Sequence, residues 1–410
     1  MQYGYNTKKQ LSSITRNGFS YSFLYDIWGN MTDVSVGSRT LSTKSYNPIT
    51  GNLSSSTYGN GWTTNYNYDY LGRLVNTTTW PAGGTPTGVT NYSYNKLGQL
   101  TEYYDSLTGV TQRYNYDSIG RITSSLSSDG SLDVDYSYDD KGRLLTRTYV
   151  IPETGSMTNS YRYNSDGYLI EEETPMSSNT YTVDKFGRIT QRRVTDYEPG
   201  STAHTTAYTY LAGVGGTDAT TTLVSNEVIS DYGSISYNYD TVGNVEYLSV
   251  NRGGTTKSVG YAYDTLGQLK TEHNELNNQT VEYTYDAGGN ITSKTTYTGV
   301  WGQKDASSAV TDTYAYTDTG WKDLLTAYNG QTITYDTIGN PLTYRRGETM
   351  TWSDGRKLTN VYFANDSANG AVSFSYDSSG MRISKSGPRV GAYGNSFSVD
   401  YFYDGDTLVK

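Results

Sequence analysis

A single short motif, Tyr-[Asp/Asn]-x-x-Gly, recurs along the whole sequence and constrains the fold more than any other feature. With degenerate copies and the eroded copies at Tyr5 and Trp352 counted, the array has about 17 units. Consecutive copies are commonly 22 residues apart, a step typical of repeat proteins. Each unit of such an array packs mainly on its neighbours, so the repeat itself sets the fold. The strict copies begin at Tyr25, Tyr68, Tyr94, Tyr116, Tyr138, Tyr163, Tyr239, Tyr263, Tyr285, Tyr335 and Tyr376.

The residue types within one unit predict a β-hairpin. In residues 136–144, Tyr136 and Tyr138 are two apart and therefore share one face of a strand. Asp139 suits the first position of a type I turn, and Gly142 suits the position with positive φ that ends it. Leu144 then opens the returning strand. The fold class predicted is all-β, with tandem hairpins in one antiparallel sheet.

Tyrosine replaces the aliphatic residues of an ordinary core. The chain has 44 Tyr against 7 Phe, and hydrophobic residues make up only 34%. A tyrosine ring is a large apolar body with one polar tip, so it can supply the burial. The positions between paired tyrosines are small or polar, which predicts one aromatic and one polar face. These positions are Asn67, Ser93, Asn115, Ser137, Asn238, Ala262 and Thr284.

The width of the predicted sheet implies a wide interior. Seventeen hairpins make about 34 strands, or roughly 160 Å of ribbon at about 4.8 Å per strand. Open twisted sheets rarely exceed about ten strands, and side chains fill a barrel of only about eight. We therefore expect a spiralling antiparallel sheet that forms a hollow shell or part of one.

The array is predicted to run as one continuous domain over residues 1–410. Three stretches interrupt its rhythm, near 80–90, 196–236 and 297–313, and the first two are rich in Gly or Pro. Insertions of this kind usually lie along one rim of a repeat structure. None of the three resembles a separate domain.

Charge and composition bear on several classes of partner. The net charge of −10, without a basic run, argues against nucleic acid as a partner. The absence of Cys excludes disulfides, thiolate metal sites and a Cys nucleophile. No apolar run approaches the roughly 18 residues of a membrane span. The sequence begins in strand-like residues without a signal peptide, so a secretion signal is expected to lie outside it.

Two kinds of residue are candidates for catalysis or metal binding. His204 and His273 lack partners at metal-ligand spacing and lie in polar sequence, which favours a solvated surface role. The repeated Asp residues could form the paired carboxylates of a glycosidase. Turn geometry already accounts for them, so no catalytic residue is predicted.

The glycine pairs of the sequence do not match a phosphate-binding loop. The pairs that start at Gly83, Gly215, Gly253 and Gly288 lack the Gly-Lys-Ser/Thr of such a loop. Asp129 and the glycine after it lack the spaced acids of a calcium loop. No cofactor-binding or metal-binding residue is predicted.

The units at 68–74, 116–122 and 138–144 resemble the Rhs/YD repeat. That family includes bacterial polymorphic toxins, the shell subunits of insecticidal toxin complexes, and the teneurins. The resemblance implies a hollow β-sheet cocoon that holds a C-terminal effector, cut free by an aspartic protease motif in the shell. No segment here resembles that terminal core or an effector, so no catalytic residue is carried over.

Two functions follow as hypotheses. The leading one is a non-enzymatic shell segment that encapsulates or presents a C-terminal toxin or effector domain absent from this chain. Its partners would be an encapsulated polypeptide cargo or the remaining part of the shell. The alternative is a cell-surface adhesin whose aromatic faces bind a glycan or a surface protein. Both place the protein outside the cell or on its surface.

Overall fold

A computed structural model describes residues 1–151, 155–213, 219–363, 371–388 and 396–409. Every regular element among these residues is a β-strand. The strands form a 29-stranded sheet, a five-stranded sheet and a two-stranded sheet. The predicted all-β, antiparallel fold class is confirmed.

The strands are numbered in chain order. The first twelve are β1 (Gln2–Tyr5), β2 (Leu11–Arg16), β3 (Phe19–Tyr25), β4 (Met31–Val36), β5 (Arg39–Tyr46), β6 (Leu53–Tyr58), β7 (Thr63–Tyr68), β8 (Leu74–Trp80), β9 (Gly88–Tyr94), β10 (Leu100–Asp105), β11 (Val110–Tyr116) and β12 (Ile122–Ser127). The next thirteen are β13 (Asp133–Tyr138), β14 (Leu144–Ile151), β15 (Gly155–Tyr163), β16 (Leu169–Glu173), β17 (Ser177–Val183), β18 (Ile189–Asp196), β19 (His204–Ala212), β20 (Thr220–Ile229), β21 (Gly233–Tyr239), β22 (Val245–Arg252), β23 (Thr255–Tyr263), β24 (Leu269–Asn274) and β25 (Gln279–Tyr285). The remainder are β26 (Ile291–Thr298), β27 (Asp305–Ala315), β28 (Ala327–Tyr328), β29 (Gln331–Thr332), β30 (Thr349–Ser353), β31 (Lys357–Tyr362), β32 (Ala371–Tyr376), β33 (Arg382–Pro388), β34 (Ser396–Asp400), β35 (Tyr403–Asp404) and β36 (Thr407–Leu408).

The chain divides into two compact units. Unit 1 comprises Met1–Leu132, Tyr285–Thr292 and Thr313–Lys410, and unit 2 comprises Asp133–Thr284 and Ser293–Asp312. Within unit 1, β1 to β12 pair antiparallel in chain order. Within unit 2, the same consecutive pairing runs from β13 to β24 and on to β25. Both units are therefore built of hairpins laid side by side.

Two kinds of turn alternate along the ribbon. We call the turn from the motif Asp or Asn to its Gly the YD turn, and the turn at the opposite end of the hairpins the distal turn. Beside the YD turn the register shifts, because Ser137 pairs with Thr146 whereas Tyr138 pairs with Leu144. Leu145 is thus a β-bulge, which increases local twist. The same shift occurs beside Tyr25, Tyr68, Tyr94, Tyr116, Tyr163, Tyr239, Tyr263 and Tyr376.

The two faces of the hairpins differ as the sequence predicts. In the Tyr-x-Tyr pairs from Tyr66/Tyr68 to Tyr283/Tyr285, the tyrosines are half-buried, whereas the residue between them is exposed. This alternation is typical of a sheet with one packed face and one solvated face. The exposed positions include Asn67, Ser93, Asn115, Ser137, Asn238, Ala262 and Thr284.

The interruptions predicted from the sequence contain long distal turns. Residues 81–87 connect β8 to β9, residues 197–203 connect β18 to β19, and residues 299–304 connect β26 to β27. The centre of the second interruption, residues 214–218 with Gly215, lies outside the described residues, as does Lys410.

Replacing Gly267 by valine is expected to destabilise the fold by about 1–2 kcal/mol. Gly267 ends a YD turn with φ at +77°, and a Cβ added there would meet no atom within 4 Å. The cost is therefore one of backbone conformation and not of a clash. Chemical denaturation measures it, with Gly267→Asn as the control, since Asn tolerates positive φ. An unchanged denaturation midpoint for Gly267→Val would contradict the turn assignment. Gly142, at φ +83°, is expected to behave alike.

Candidate functional site at the docked turns

The motif aspartate stabilises its YD turn by accepting hydrogen bonds with both carboxylate oxygens. In the unit at 136–144, the Gly142 amide donates to the Asp139 carbonyl at 3.0 Å. Oδ1 of Asp139 accepts from the amides of Lys141 and Arg143 at 2.9 and 2.8 Å, and Oδ2 accepts from Nε of Arg143 at 2.6 Å. Equivalent pairs of Oδ1 bonds occur at Asp26, Asp69, Asp117, Asp184, Asp240, Asp264, Asp286 and Asp336.

The residue after the motif glycine completes this turn lock. Where it is Arg, it forms an ion pair with Oδ2 at 2.6–2.7 Å, as at Arg73, Arg121 and Arg188. Where it is Asn or Gln, the side-chain amide donates to the same oxygen at 2.7–2.9 Å. Arg, Asn and Gln at this position therefore all donate to Oδ2 of the motif aspartate.

Hydrogen bonding keeps these carboxyls ionised. The backbone amide of Arg73 does most to lower the pKa of Asp69, and that of Arg121 acts alike on Asp117. A glycosidase acid needs the opposite, a raised pKa and a proton to give. The repeated aspartates thus have the chemistry of a structural turn lock.

The motif tyrosine of many units ties its hairpin to the preceding one. Its hydroxyl donates to a backbone carbonyl, most often that of the residue that opens the previous return strand. Ten such bonds, at 2.6–3.1 Å, are made by Tyr25, Tyr46, Tyr94, Tyr116, Tyr163, Tyr210, Tyr239, Tyr263, Tyr335 and Tyr403. Phenylalanine cannot make this bond, which explains why Tyr dominates the aromatic residues. The Arg of a turn lock also lies over the next tyrosine ring, at 4.8 Å for Arg73 and Tyr94.

Removing one of these hydroxyls, by Tyr116→Phe, is expected to cost about 1 kcal/mol of unfolding free energy. The Tyr116 hydroxyl donates to the Leu100 carbonyl at 2.6 Å, and that carbonyl would lose its partner. Tyr114→Phe is the matched control, because its ring is half-buried in the same strand. Equal losses in the two variants, measured by chemical denaturation, would show that the hydroxyl bond contributes nothing.

Within unit 1, four later YD turns lie against four earlier distal turns. We call this set of contacts the seam. Each contact includes a side-chain hydrogen bond or ion pair between the two turns. The sequence separation of the bonded residues is nearly constant, at 269–279. The pairs are Asn17 with Asp286, Arg39 with Asp318, Asn60 with Asp336, and Asp105 with Ser378.

One contact of the seam is centred on Ile338. This residue is the third of its YD turn and is 0% exposed. A Cβ built on Gly59 would lie 3.0 Å from Cγ2 of Ile338, so the side chain packs directly on that glycine. Thr337 donates its hydroxyl to the Gly59 carbonyl at 3.0 Å, and Asn60 Nδ2 donates to Asp336 Oδ2 at 3.0 Å. An apolar tip flanked by polar bonds thus fills a socket made by a distal turn.

A polar cluster lies beside this contact. Trp321 Nε1 donates to the Tyr21 hydroxyl at 2.8 Å, and that hydroxyl donates to Asp323 Oδ2 at 3.0 Å. Arg16 completes the cluster with an ion pair to Asp323 at 3.1 Å. Burial raises the pKa of Tyr21. The cluster therefore joins an early strand to a later turn of unit 1.

The two histidines differ in their surroundings. His204 is exposed, as predicted. The prediction for His273 is wrong, because this ring is half-buried, with its centroid 4.8 Å from that of Trp301. Its Nδ1 lies 3.0 Å from Oγ1 of Thr280, a residue that is fully buried. Local sequence could not reveal this contact, because Trp301 arrives from the long distal turn 299–304.

The other sequence candidates lie in turns. Gly83, Gly253 and Gly288 belong to turns of the hairpin array, and Gly130 also has positive φ in a turn. Within the described ranges, no group of three or more His, Asp or Glu side chains is arranged to hold a metal ion.

Comparisons with known proteins agree with this geometry. The RHS Repeat family matches residues 94–132 and 263–299. The crystal structure of TcdB2-TccC3 superposes with a TM-score of 0.71 at 16% identity, over 99% of this chain and 24% of that chain. The Tc holotoxin pore of Photorhabdus luminescens superposes with a TM-score of 0.60 at 16% identity, over 98% of this chain and 22% of that one.

One curated relative also matches. It is the tRNA3(Ser)-specific nuclease WapA of Bacillus spizizenii, 28% identical over 257 residues, or 61% of this chain. The chain contains Rhs repeats. This YD array spans only 9% of the WapA length, and the nuclease activity in that name belongs to WapA. Rhs repeats and the Tc toxin fold support a shell-like structural role for the array. None of the residues described here forms a helix suited to crossing a bilayer.

Proposed function

We propose that this YD array is a non-enzymatic wall segment of a shell that encapsulates or presents a polypeptide cargo. The observation that carries the proposal is the seam, whose contacts recur at separations of 269–279 residues. A wall made from a hairpin ribbon needs such contacts, because unjoined layers would leave a cleft. The motif aspartates support a structural role, since their carboxylates are already bonded in turn locks.

The cargo that fits this role is a C-terminal toxin or effector domain outside this chain, and the site of action is outside the cell or on its surface. The similarity to the Tc toxin structures supports this proposal at the level of fold. No observation on the described residues singles out the adhesin alternative.

A wide interior is expected to show in small-angle X-ray scattering. A compact 410-residue globule has a radius of gyration of roughly 22 Å. The wall role predicts a clearly larger radius and a pair-distance distribution depleted at the centre. A radius of about 22 Å would contradict the interior.

The containment role is tested by protease protection. An unfolded reporter polypeptide is fused after the last residue, and its cleavage rate is compared with that of the free reporter. We expect cleavage to be slower by about tenfold or more, as for a segment exposed only by rare opening.

A matched pair of variants separates containment from simple crowding. Asn60→Ala removes the bonds from Asn60 to Asp336 and to the Gly355 carbonyl, both at 3.0 Å, and should restore fast cleavage. Asn67→Ala removes an exposed bond to Asn76 and should leave protection unchanged. A reporter cleaved at the free rate in the unmodified fusion would refute containment.

A further inference from the structure

Unit 1 carries a row of exposed apolar side chains at one position of its YD turns, the third. The row consists of Trp28, Ile49, Leu71, Leu97 and Ile119, with Leu97 83% and Ile119 73% exposed. We call it the tip row. Several of its members are 22 residues apart, the step of the hairpins. Aligned exposed apolar residues of this kind mark an interaction surface.

The chain itself shows what covers such a tip. Ile338 occupies the same turn position, and it is fully buried against Gly59 in a distal turn. Thr40 is close by, because a Cβ on Gly59 would lie only 1.8 Å from its carbonyl oxygen. The socket therefore requires glycine in the distal turn, and its occupant is the apolar tip of a YD turn.

An arginine stabilises a YD turn that is seated against a distal turn, by a hydrogen bond to the carbonyl of the third residue of the YD turn. Arg356 donates to the Ile338 carbonyl at 2.8 Å. Arg16, the last residue before a distal turn, donates to the Gly288 carbonyl in another seated YD turn. Both contacts thus combine a glycine in the distal turn with an arginine that reaches the carbonyl of the third YD-turn residue.

Unit 2 contains an unfilled site of this description. A concavity of about 500 Å³ lies at the distal turns 230–232 and 253–254, and Val228, Tyr232, Gly233 and Gly253 line it. Arg252 immediately precedes its distal turn, as Arg16 does. It lies over the Tyr232 ring at 5.0 Å and has no acidic partner among the residues that the structure describes. We call this concavity the open socket.

We propose that the tip row of one copy docks into the open socket of a second copy. The inference rests on the proposed wall role, since it extends the seam contact from within one chain to between two. The tips and the socket are different surfaces, so the contact is heterologous and can repeat head to tail. The sequence spacing of the two distal turns at the open socket equals that of two neighbouring tips. Asp231 and Gly253 are 22 residues apart, as are Leu97 and Ile119.

Sedimentation velocity over a range of protein concentrations tests the proposal. The unmodified chain should associate as its concentration rises. The tip variant Leu97→Asp/Ile119→Asp and the socket variant Val228→Asp/Arg252→Glu should each weaken association by about tenfold or more, as expected for lost apolar burial. Val310→Asp is the control, because Val310 is an exposed apolar residue outside both surfaces.

Mixing the two variants gives the decisive result. The tip variant keeps its socket and the socket variant keeps its tips, so the mixture should form a one-to-one dimer that does not grow. A chain that stays monomeric at every concentration would overturn the proposal. So would association that persists in either variant alone, because another surface would then be responsible.

The wall role and this contact can fail separately. Reporter protection is measured on single copies at concentrations below association, whereas docking is measured without a reporter. Reporter protection without association between copies would refute the docking contact alone. Fast reporter cleavage would refute the wall role.

Discussion

Replacing Ile338 by alanine is expected to lower the free energy of unfolding by about 2–4 kcal/mol. The Ile338 side chain is fully buried in the seam, and its removal would leave a cavity between a YD turn and a distal turn. The turn itself should survive, because Asp336 accepts the amides of Ile338 and Asn340 regardless of the side chain at 338. Chemical denaturation, followed by tyrosine and tryptophan fluorescence, measures the loss.

The control uses the same position of another repeat. Ile119 is also the third residue of its YD turn, but it is 73% exposed. Ile119→Ala should therefore change the free energy of unfolding by no more than about 0.5 kcal/mol. Similar losses at the two positions would mean that the seam does not depend on a buried tip.

Alkaline pH is expected to unfold the array cooperatively between pH 10 and about 12. Burial raises the pKa of many tyrosines, and it raises those of Tyr237 and Tyr335 to about 12. The nearby Glu227 carboxylate adds to the effect at Tyr237. Burial is also the main cause of a raised pKa at a further set of tyrosines. These are Tyr46, Tyr66, Tyr68, Tyr94, Tyr103, Tyr114, Tyr116, Tyr161, Tyr210, Tyr239, Tyr261, Tyr263, Tyr316 and Tyr376.

The sign follows from proton linkage. In the unfolded chain these tyrosines ionise near pH 10, whereas in the folded chain they hold their protons to higher pH. Their contribution to stability is complete below the unfolded pKa and is lost as the pH rises through the folded pKa. Because so many tyrosines act together, the summed effect is large.

Absorbance at the tyrosinate band and far-UV circular dichroism, recorded during one titration, test this expectation. The buried tyrosines should ionise together with the loss of strand signal. Tyrosines that all ionise near pH 10 while the strands persist would contradict it.

The hairpin and its two faces could be predicted from sequence because their causes are local. A motif of five residues contains the strand, the turn aspartate and the glycine with positive φ, so Asp139 and Gly142 were interpretable without a structure. The i and i+2 spacing of Tyr136 and Tyr138 likewise follows from strand geometry alone. Because the motif recurs along the chain, the hairpin predicted for one unit applies to the whole array.

Other features depend on neighbouring hairpins. The residue after the motif glycine is most often Arg, Asn or Gln, and only the structure shows that all three types bind the same aspartate oxygen. The tyrosine hydroxyl bonds were likewise missed, although the 44 Tyr against 7 Phe was a signal that the hydroxyl matters. His273 was misjudged because its partner, Trp301, comes from a distant turn.

The sequence by itself determined the repeat unit, the strand pairing and the separation of aromatic from polar faces, since each follows from contacts within a few residues. Only the tertiary structure decided which turns are covered. Ile119 and Ile338 occupy equivalent motif positions, yet one is exposed and the other is fully buried. Burial at this position depends on a distal turn that lies roughly 275 residues away in the chain and no local pattern encodes such a contact. The physical reason is that a hairpin dictates its own shape, whereas its outer contacts depend on where the rest of the ribbon brings another layer.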